Sequence, residues 1–206
     1  MANYCFNEIV FFSKDEQLIN NLYQKISEYW CRQDENDLTI HDFLLFMGYS
    51  KKATDRLTIY RNYFTNIDAP QKDADMFYFK INTESAWNPI TAPFEALLRD
   101  KYHRKIRLVY EAEEIGNYIY VNSDLEGRFF KDKFKMQYFN PKDDRYINEY
   151  FEDFDQLLDY IKENFPKADI ERYNRMCYIY DIEKQILKAY PDMDELSTGI
   201  YAFTPF

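Results

Sequence analysis

Glycine is scarce in this chain, with four in 206 residues, and no cluster of them forms a loop that could cradle a phosphate. Cysteine is rarer still. Cys5, Cys31 and Cys177 are an odd number with no CxxC or other metal-ligand spacing, which excludes a disulfide framework and a zinc site. Two of them fall within apolar patterns and read as core thiols in a reducing compartment. Basic charge is also short: Asp and Glu exceed Lys and Arg by ten, and the isoelectric point is near 4.8. Phosphate backbones are held by clustered Lys and Arg, so a nucleic-acid partner is disfavoured. No stretch approaches 18 apolar residues, and the opening MANYCFNEIV lacks the basic and apolar segments of a secretory leader. These absences predict a cytoplasmic protein with no membrane partner.

What the chain has in excess is aromatic residues, 20 Tyr and 18 Phe, which suit sheet faces and a well-filled core. At 25.2 kDa it is long enough to bury a large one. The most informative stretch runs from Phe77 to Phe130, where strand, helix and hairpin patterns follow one another with clear punctuation.

From the N-terminus, residues 4–12 are apolar on both faces, as in a central strand: Cys5, Ile9 and Phe11 point one way and Phe6, Val10 and Phe12 the other. Ser13 with Glu16 reads as a capping box for a helix whose buried stripe is Leu18, Leu22, Ile26, Tyr29 and Trp30. Thr39 with Asp42 repeats that signal for a short helix ended by Gly48, and His41 beside Asp42 reads as a surface histidine because no nucleophile motif accompanies it. Residues 57–64 read as an edge strand or a helical turn, and 66–75 as a surface loop.

Phe77, Phe79 and Ile81 alternate with Tyr78, Lys80 and Asn82 in a strand that breaks at Trp87, Asn88 and Pro89. Thr91 and Pro93 then open a helix through Phe94, Leu97, Leu98 and Tyr102. Alternation returns over 105–113, Ile115, Gly116 and Asn117 turn the chain, and 118–121 completes a β-hairpin. Residues 130–138 predict a third strand of the same meander, with Lys131, Lys133 and Lys135 as a basic outer row. NPKDDRYINEY reads as a polar connection. A helix follows over 154–165, stopped by Pro166; one long or two shorter helices span 168–190; and the last residues read as a docked tail or a short strand. The sum is an α+β fold with one antiparallel sheet and helices on one face.

At ESAWNP and at YEAEEIGNYIYVNSDLEGRFF the sequence resembles the Api92-like or YubB-like ferredoxin-like family of bacterial plasmids, integrated elements and phages. Ala86, Trp87 and Pro89 before the helix, and Glu113, Glu114 and Gly116 at the hairpin, carry the resemblance, and the opening ANYC is similar too. The family's glycine- and aromatic-rich segment before the Trp motif is replaced here by 57–75. The resemblance implies a ferredoxin-like antiparallel sheet over residues 1–165, with an insertion near 31–75, and a mobile-element setting; the helical pattern beyond it reads as a C-terminal extension over 166–206 packed on that domain. The resemblance implies no activity.

Glu84, Glu111, Glu113, Glu114, Asp124 and Glu126 could hold a hard cation, but alternation along the strand turns Glu111 and Glu113 to solvent and no calcium-loop spacing is present. The sequence therefore predicts no catalytic residue, cofactor or metal. It predicts an interaction module whose partner is another protein, one form of which is an acidic inhibitor of a host DNA-directed or defence protein. The alternative is a small-molecule binder or weak hydrolase with a pocket near Trp87, using Glu84, Glu113 or Glu114 and the nearby His103. On either reading the candidate binding surface is Trp87, Glu84, Glu113 and Glu114.

Overall fold

A computed structural model describes residues 4–32, 38–58, 61–114, 119–140, 143–171, 173, 176–193 and 198–204, in two compact units, 1–123 and 124–206. The sequence placed the boundary at 165/166; the density of contacts places it at 123/124. The expected single sheet is two antiparallel sheets, one in each unit.

The first unit is built on β1 (Tyr4–Ser13), followed by helices α1 (Glu16–Trp30), α2 (Ile40–Phe46) and α3 (Lys51–Leu57). Strands β2 (Asn62–Ile67), β3 (Gln71–Asp73) and β4 (Met76–Ala86) come next, then α4 (Ala92–Tyr102), β5 (Arg107–Glu114) and β6 (Ile119–Asn122). The strand order is β2-β4-β1-β5-β6, with β3 also paired to β4, and every pairing is antiparallel. The loop expected at 66–75 thus contains the end of β2 and all of β3, and the low-pattern stretch before it supplies an edge strand. The β5–β6 hairpin is present; its turn at 115–118 lies outside the described residues.

Local chemistry explains the helix ends. Asp15, rather than Ser13, caps α1, accepting from the amides of Gln17 and Leu18. The Ser13 hydroxyl instead donates to the Lys105 carbonyl and accepts from the Asp15 amide. Thr39 caps α2 through the Asp42 amide, and Ser50 caps α3, a helix the apolar pattern is too short to reveal. His103 ends α4 in the left-handed conformation.

One face of the sheet carries Cys5, Ile9 and Phe11, and α1, α2 and α4 cover it with Ile19, Leu22, Ile26, Phe43, Phe94 and Leu97, all fully buried. Phe11 anchors this core: its ring stacks on Phe79 at 5.2 Å and meets Phe94 edge-on at 5.5 Å. Cys5 lies within it, whereas Cys31, at the start of the polar segment CRQDEND, is exposed at the end of α1. The side chain of Cys177 lies outside the described residues.

The second unit contains β7 (Phe134–Asn140), β8 (Arg145–Phe151), α5 (Phe154–Asn164), a 3₁₀ turn (Met176–Tyr178), α6 (Ile179–Ala189) and β9 (Gly199–Ala202), with sheet order β8-β7-β9. The strand expected to extend the meander is β7, and it pairs with β8 and β9 instead. The sequence read as a polar connection is β8, an edge strand whose outer residues face solvent and so break the apolar alternation. The expected basic row also dissolves. Lys131 and Lys133 precede β7, and Lys135 is buried with its ammonium 5.1 Å from the centre of the Tyr150 ring. Leu157, Ile161, Ile182, Ile186, Met136 and Ile200 form the core. Among the described residues no helix is long and apolar enough to cross a membrane.

Candidate functional site

The face of the first sheet opposite its helices is set by the register. Successive rows across β4, β1 and β5 read Glu84–Phe6–Glu113, Asn82–Glu8–Glu111, Lys80–Val10–Val109 and Tyr78–Phe12–Arg107. The face is therefore acidic at one end and basic at the other. Val10 is fully buried midway along and Phe12 is buried beyond it, so the exposed aromatic residues of this face lie at the acidic end. There Tyr4 and Phe6 are 49% and 54% exposed, and a cleft of about 300 Å³ is lined by Phe6, Glu8, Thr65, Asn82, Glu111 and Glu113. Lys80 pairs with Glu8 at 2.5 Å and closes the acidic end toward the middle of the sheet.

Trp87 stands one residue beyond the Tyr4–Ala86 pair, at that same end of the sheet, and is 46% exposed. Its φ is +76°, in the left-handed region that costs a non-glycine residue on the order of 1–3 kcal/mol and persists only where the surroundings impose it. The constraint comes from Asn7, buried at 2% exposure. Its amide donates to the carbonyls of Cys5 and Thr83 and to the Ser85 hydroxyl, and its side-chain oxygen accepts from the Ile90 amide at 3.3 Å. Ser85 in turn donates to the Asn88 carbonyl at 2.6 Å, and the Asn88 amide donates to the Ala86 carbonyl. The chain on both sides of Trp87 is thus tied down, and the indole is presented at the end of the sheet.

Of the four residues expected to form the site, three belong to this end. Glu84 and Glu113 flank Phe6 on the helix-free face, with their backbones two strand spacings, roughly 10 Å, apart. Glu114 does not join them. Next in the strand after Glu113, it turns to the opposite face and is 2% exposed. Burial pushes the neighbouring Cys5 thiol up to about 12, with the charges of Glu114 and Glu113 adding to the rise, so this thiol is no nucleophile. His103 closes the far end of α4, about 15 Å along an 11-residue helix from the Trp87 junction, and is no partner for these carboxylates. Among the described residues no group of three or more His, Cys, Asp and Glu is placed to hold a metal ion.

No protein-family model, curated protein or solved structure matches the chain. The site must be read from its own geometry.

Sequence reasoning missed Tyr4, Phe6 and Glu8. Their one signal is shared even parity in the first strand, and assigning that parity to the accessible face needs the register with β4. A second concavity, about 210 Å³, lies beside the Trp87 junction and is lined by Arg56, Leu57, Ser85, Asn88, Ile90 and Pro93. Neither Trp87 nor any of the three glutamates lines it. A separate cluster ties α2 to α3: His41 Nδ1 lies 3.0 Å from Asp42 and Nε2 lies 3.0 Å from Asp55. Those two hydrogen bonds raise the His41 pKa, and the His41 hydrogen bond lowers that of Asp42.

Proposed function

We propose that the protein is a noncatalytic protein-interaction module that binds a cationic partner surface through the Tyr4, Phe6 and Trp87 end of its first sheet. The observation that carries this reading is the coincidence there of three exposed aromatic side chains with the carboxylates of Glu84 and Glu113 on either side of Phe6. Exposed aromatics held on a rigid backbone anchor interfaces at low entropic cost, and a ring of carboxylates favours partners rich in Arg and Lys. The spacing of the two carboxylates and the burial of Glu114 weigh against acid–base chemistry.

Two further parts of the reading rest on other grounds. The first unit is a ferredoxin-like domain of the Api92-like or YubB-like kind, a reading supported by the order β2-β4-β1-β5 with each helical crossover skipping one strand, and by the Ala86, Trp87 and Pro89 motif. That family setting, with the net charge of −10, favours a mobile-element protein of the bacterial cytoplasm acting as an acidic inhibitor of a host DNA-directed or defence protein. The second concavity, with Arg56 at its wall, favours the alternative reading as a small-molecule-binding protein.

Affinity purification from a bacterial lysate tests the main reading. The wild-type chain should retain a partner that elutes as salt rises, and the Phe6→Ala and Trp87→Ala variants should each lose it. Equal recovery by folded wild-type and variant chains would refute this surface as the binding site.

A further inference from the structure

An edge strand presents unpaired backbone N–H and C=O groups, and proteins defend such edges by making them short, bulged, proline-bearing or covered. The described strands of this chain differ in how they meet that need. β2 is bulged between Phe64 and Asn66, and its outer side is engaged by the Leu38 carbonyl, which accepts from the Phe64 amide at 2.8 Å, and by a bridge from Thr39 to Tyr63. β6 and β9 have only four residues each. Among the described residues β8 shows none of these defences: it runs for seven residues, RYINEYF, without Pro or Gly, in unbroken register with β7, its one described partner strand in the sheet.

We propose that β8 pairs antiparallel with β8 of a second copy of this chain, joining two three-stranded sheets into one of six strands across a two-fold axis. Symmetry restricts the register. In an antiparallel pair, opposed residues share a face and a hydrogen-bonding class, so a self-pairing strand must have its axis on a residue, and the axis that uses all seven residues passes through Asn148. That register sets Tyr146 opposite Tyr150 of the other copy, twice, and both side chains are strongly exposed in the single chain, 57% and 42%. Aromatic cross-strand pairs stabilise sheets, and here they replace solvent. On the other face Arg145 lies diagonal to Glu149 of the second copy, within reach of long side chains. One Arg and one Glu leave the seven-residue strand itself neutral in a chain of net charge −10.

The full chain should sediment at twice its 25.2 kDa mass at high concentration and dissociate on dilution. The Tyr146→Lys/Tyr150→Lys variant opposes like charges at both pairs and should raise the dissociation constant by about tenfold or more, although it lowers the net negative charge. The Tyr146→Lys/Tyr150→Glu variant opposes unlike charges at the same positions and should restore dimerisation. Circular dichroism establishes that both variants are folded, and amide exchange over 145–151 in the unaltered protein should slow as concentration rises. A chain that stays at single mass at every concentration, as it would if β8 served a strand of some other protein, overturns the proposal. So does a dimer weakened equally by the two variants or indifferent to both.

Discussion

Each unit has a polar clasp, and the two clasps are made by different kinds of group. In the first, Asn7 sits inside the core with both ends of its amide satisfied, tying β1, β4 and the chain before α4 together without any charge. In the second, the carboxylate of Glu183 on α6 is largely withdrawn from water and accepts from the Ile200 amide at 2.5 Å, holding α6 to the terminal strand β9. A neutral group that is fully hydrogen-bonded stabilises at every pH; a buried carboxylate is costly whenever it is ionised. The first unit therefore has a pH-independent clasp at its binding end, and the second has one whose strength depends on protonation.

The largest test removes the aromatic anchor of the first unit. Phe11→Ala should cost about 3–5 kcal/mol in that unit, read as loss of amide protection along β1 and β4. If Met136→Ala in the second unit gives about 2–5 kcal/mol, the two cores are of comparable quality and only their polar clasps differ. Next in size is Asn7→Ala, which strips the Ile90 amide and the Ser85 hydroxyl of a partner and should cost about 1–3 kcal/mol with no change in its pH dependence. A strongly pH-dependent loss there would break the comparison.

Glu183→Gln sharpens it from the other side. Burial raises the folded pKa of Glu183 above its unfolded value, so the folded state binds the extra proton and stability falls as pH rises through the folded pKa. The Gln variant should remove that fall, and urea unfolding across pH 4 to 8 checks it. His41 supplies a titrating contrast inside the first unit. Its folded pKa is raised, so its contribution is fully present below the unfolded pKa and is lost as pH rises through the folded value; His41→Gln should flatten that part of the profile. The smallest effect on stability belongs to Trp87→Asn, which suits a positive φ better and should leave stability unchanged or raise it by up to about 1 kcal/mol. Partner binding should fall sharply in the same variant, by about 2 kcal/mol if the indole anchors the interface.

Much of the first unit is legible in its residues. Helix α1 follows from the spacing of Leu22, Ile26 and Tyr29, helix α2 from the Thr39 cap, and the β5–β6 hairpin from alternation on either side of a turn. What failed did so for physical reasons. The segment containing β8 looks polar because an edge strand exposes Tyr146, Asn148 and Tyr150; α3 has one buried residue, Thr54, and no stripe to show. The strand expected over 130–138 starts only at Phe134 and pairs in the other sheet, since alternation specifies a strand's faces and not its partner. The candidate site shows the same limit. Glu84, Glu113 and Trp87 were visible as residues, whereas the place of Phe6 between the two carboxylates, and the turning of Glu114 away from them, depended on register.

The residues alone settled part of what is local: the helices α1, α2, α4 and α5, the strands β1, β4 and β5, and the acidic, aromatic composition. Tertiary structure decided which strands meet. β1 finds its neighbours about 75 and 100 residues away, and a backbone N–H satisfied by so distant a carbonyl leaves no periodic mark in the sequence near it. The strand order, the division at 123/124 and the row that places Phe6 between Glu84 and Glu113 all follow from those distant bonds.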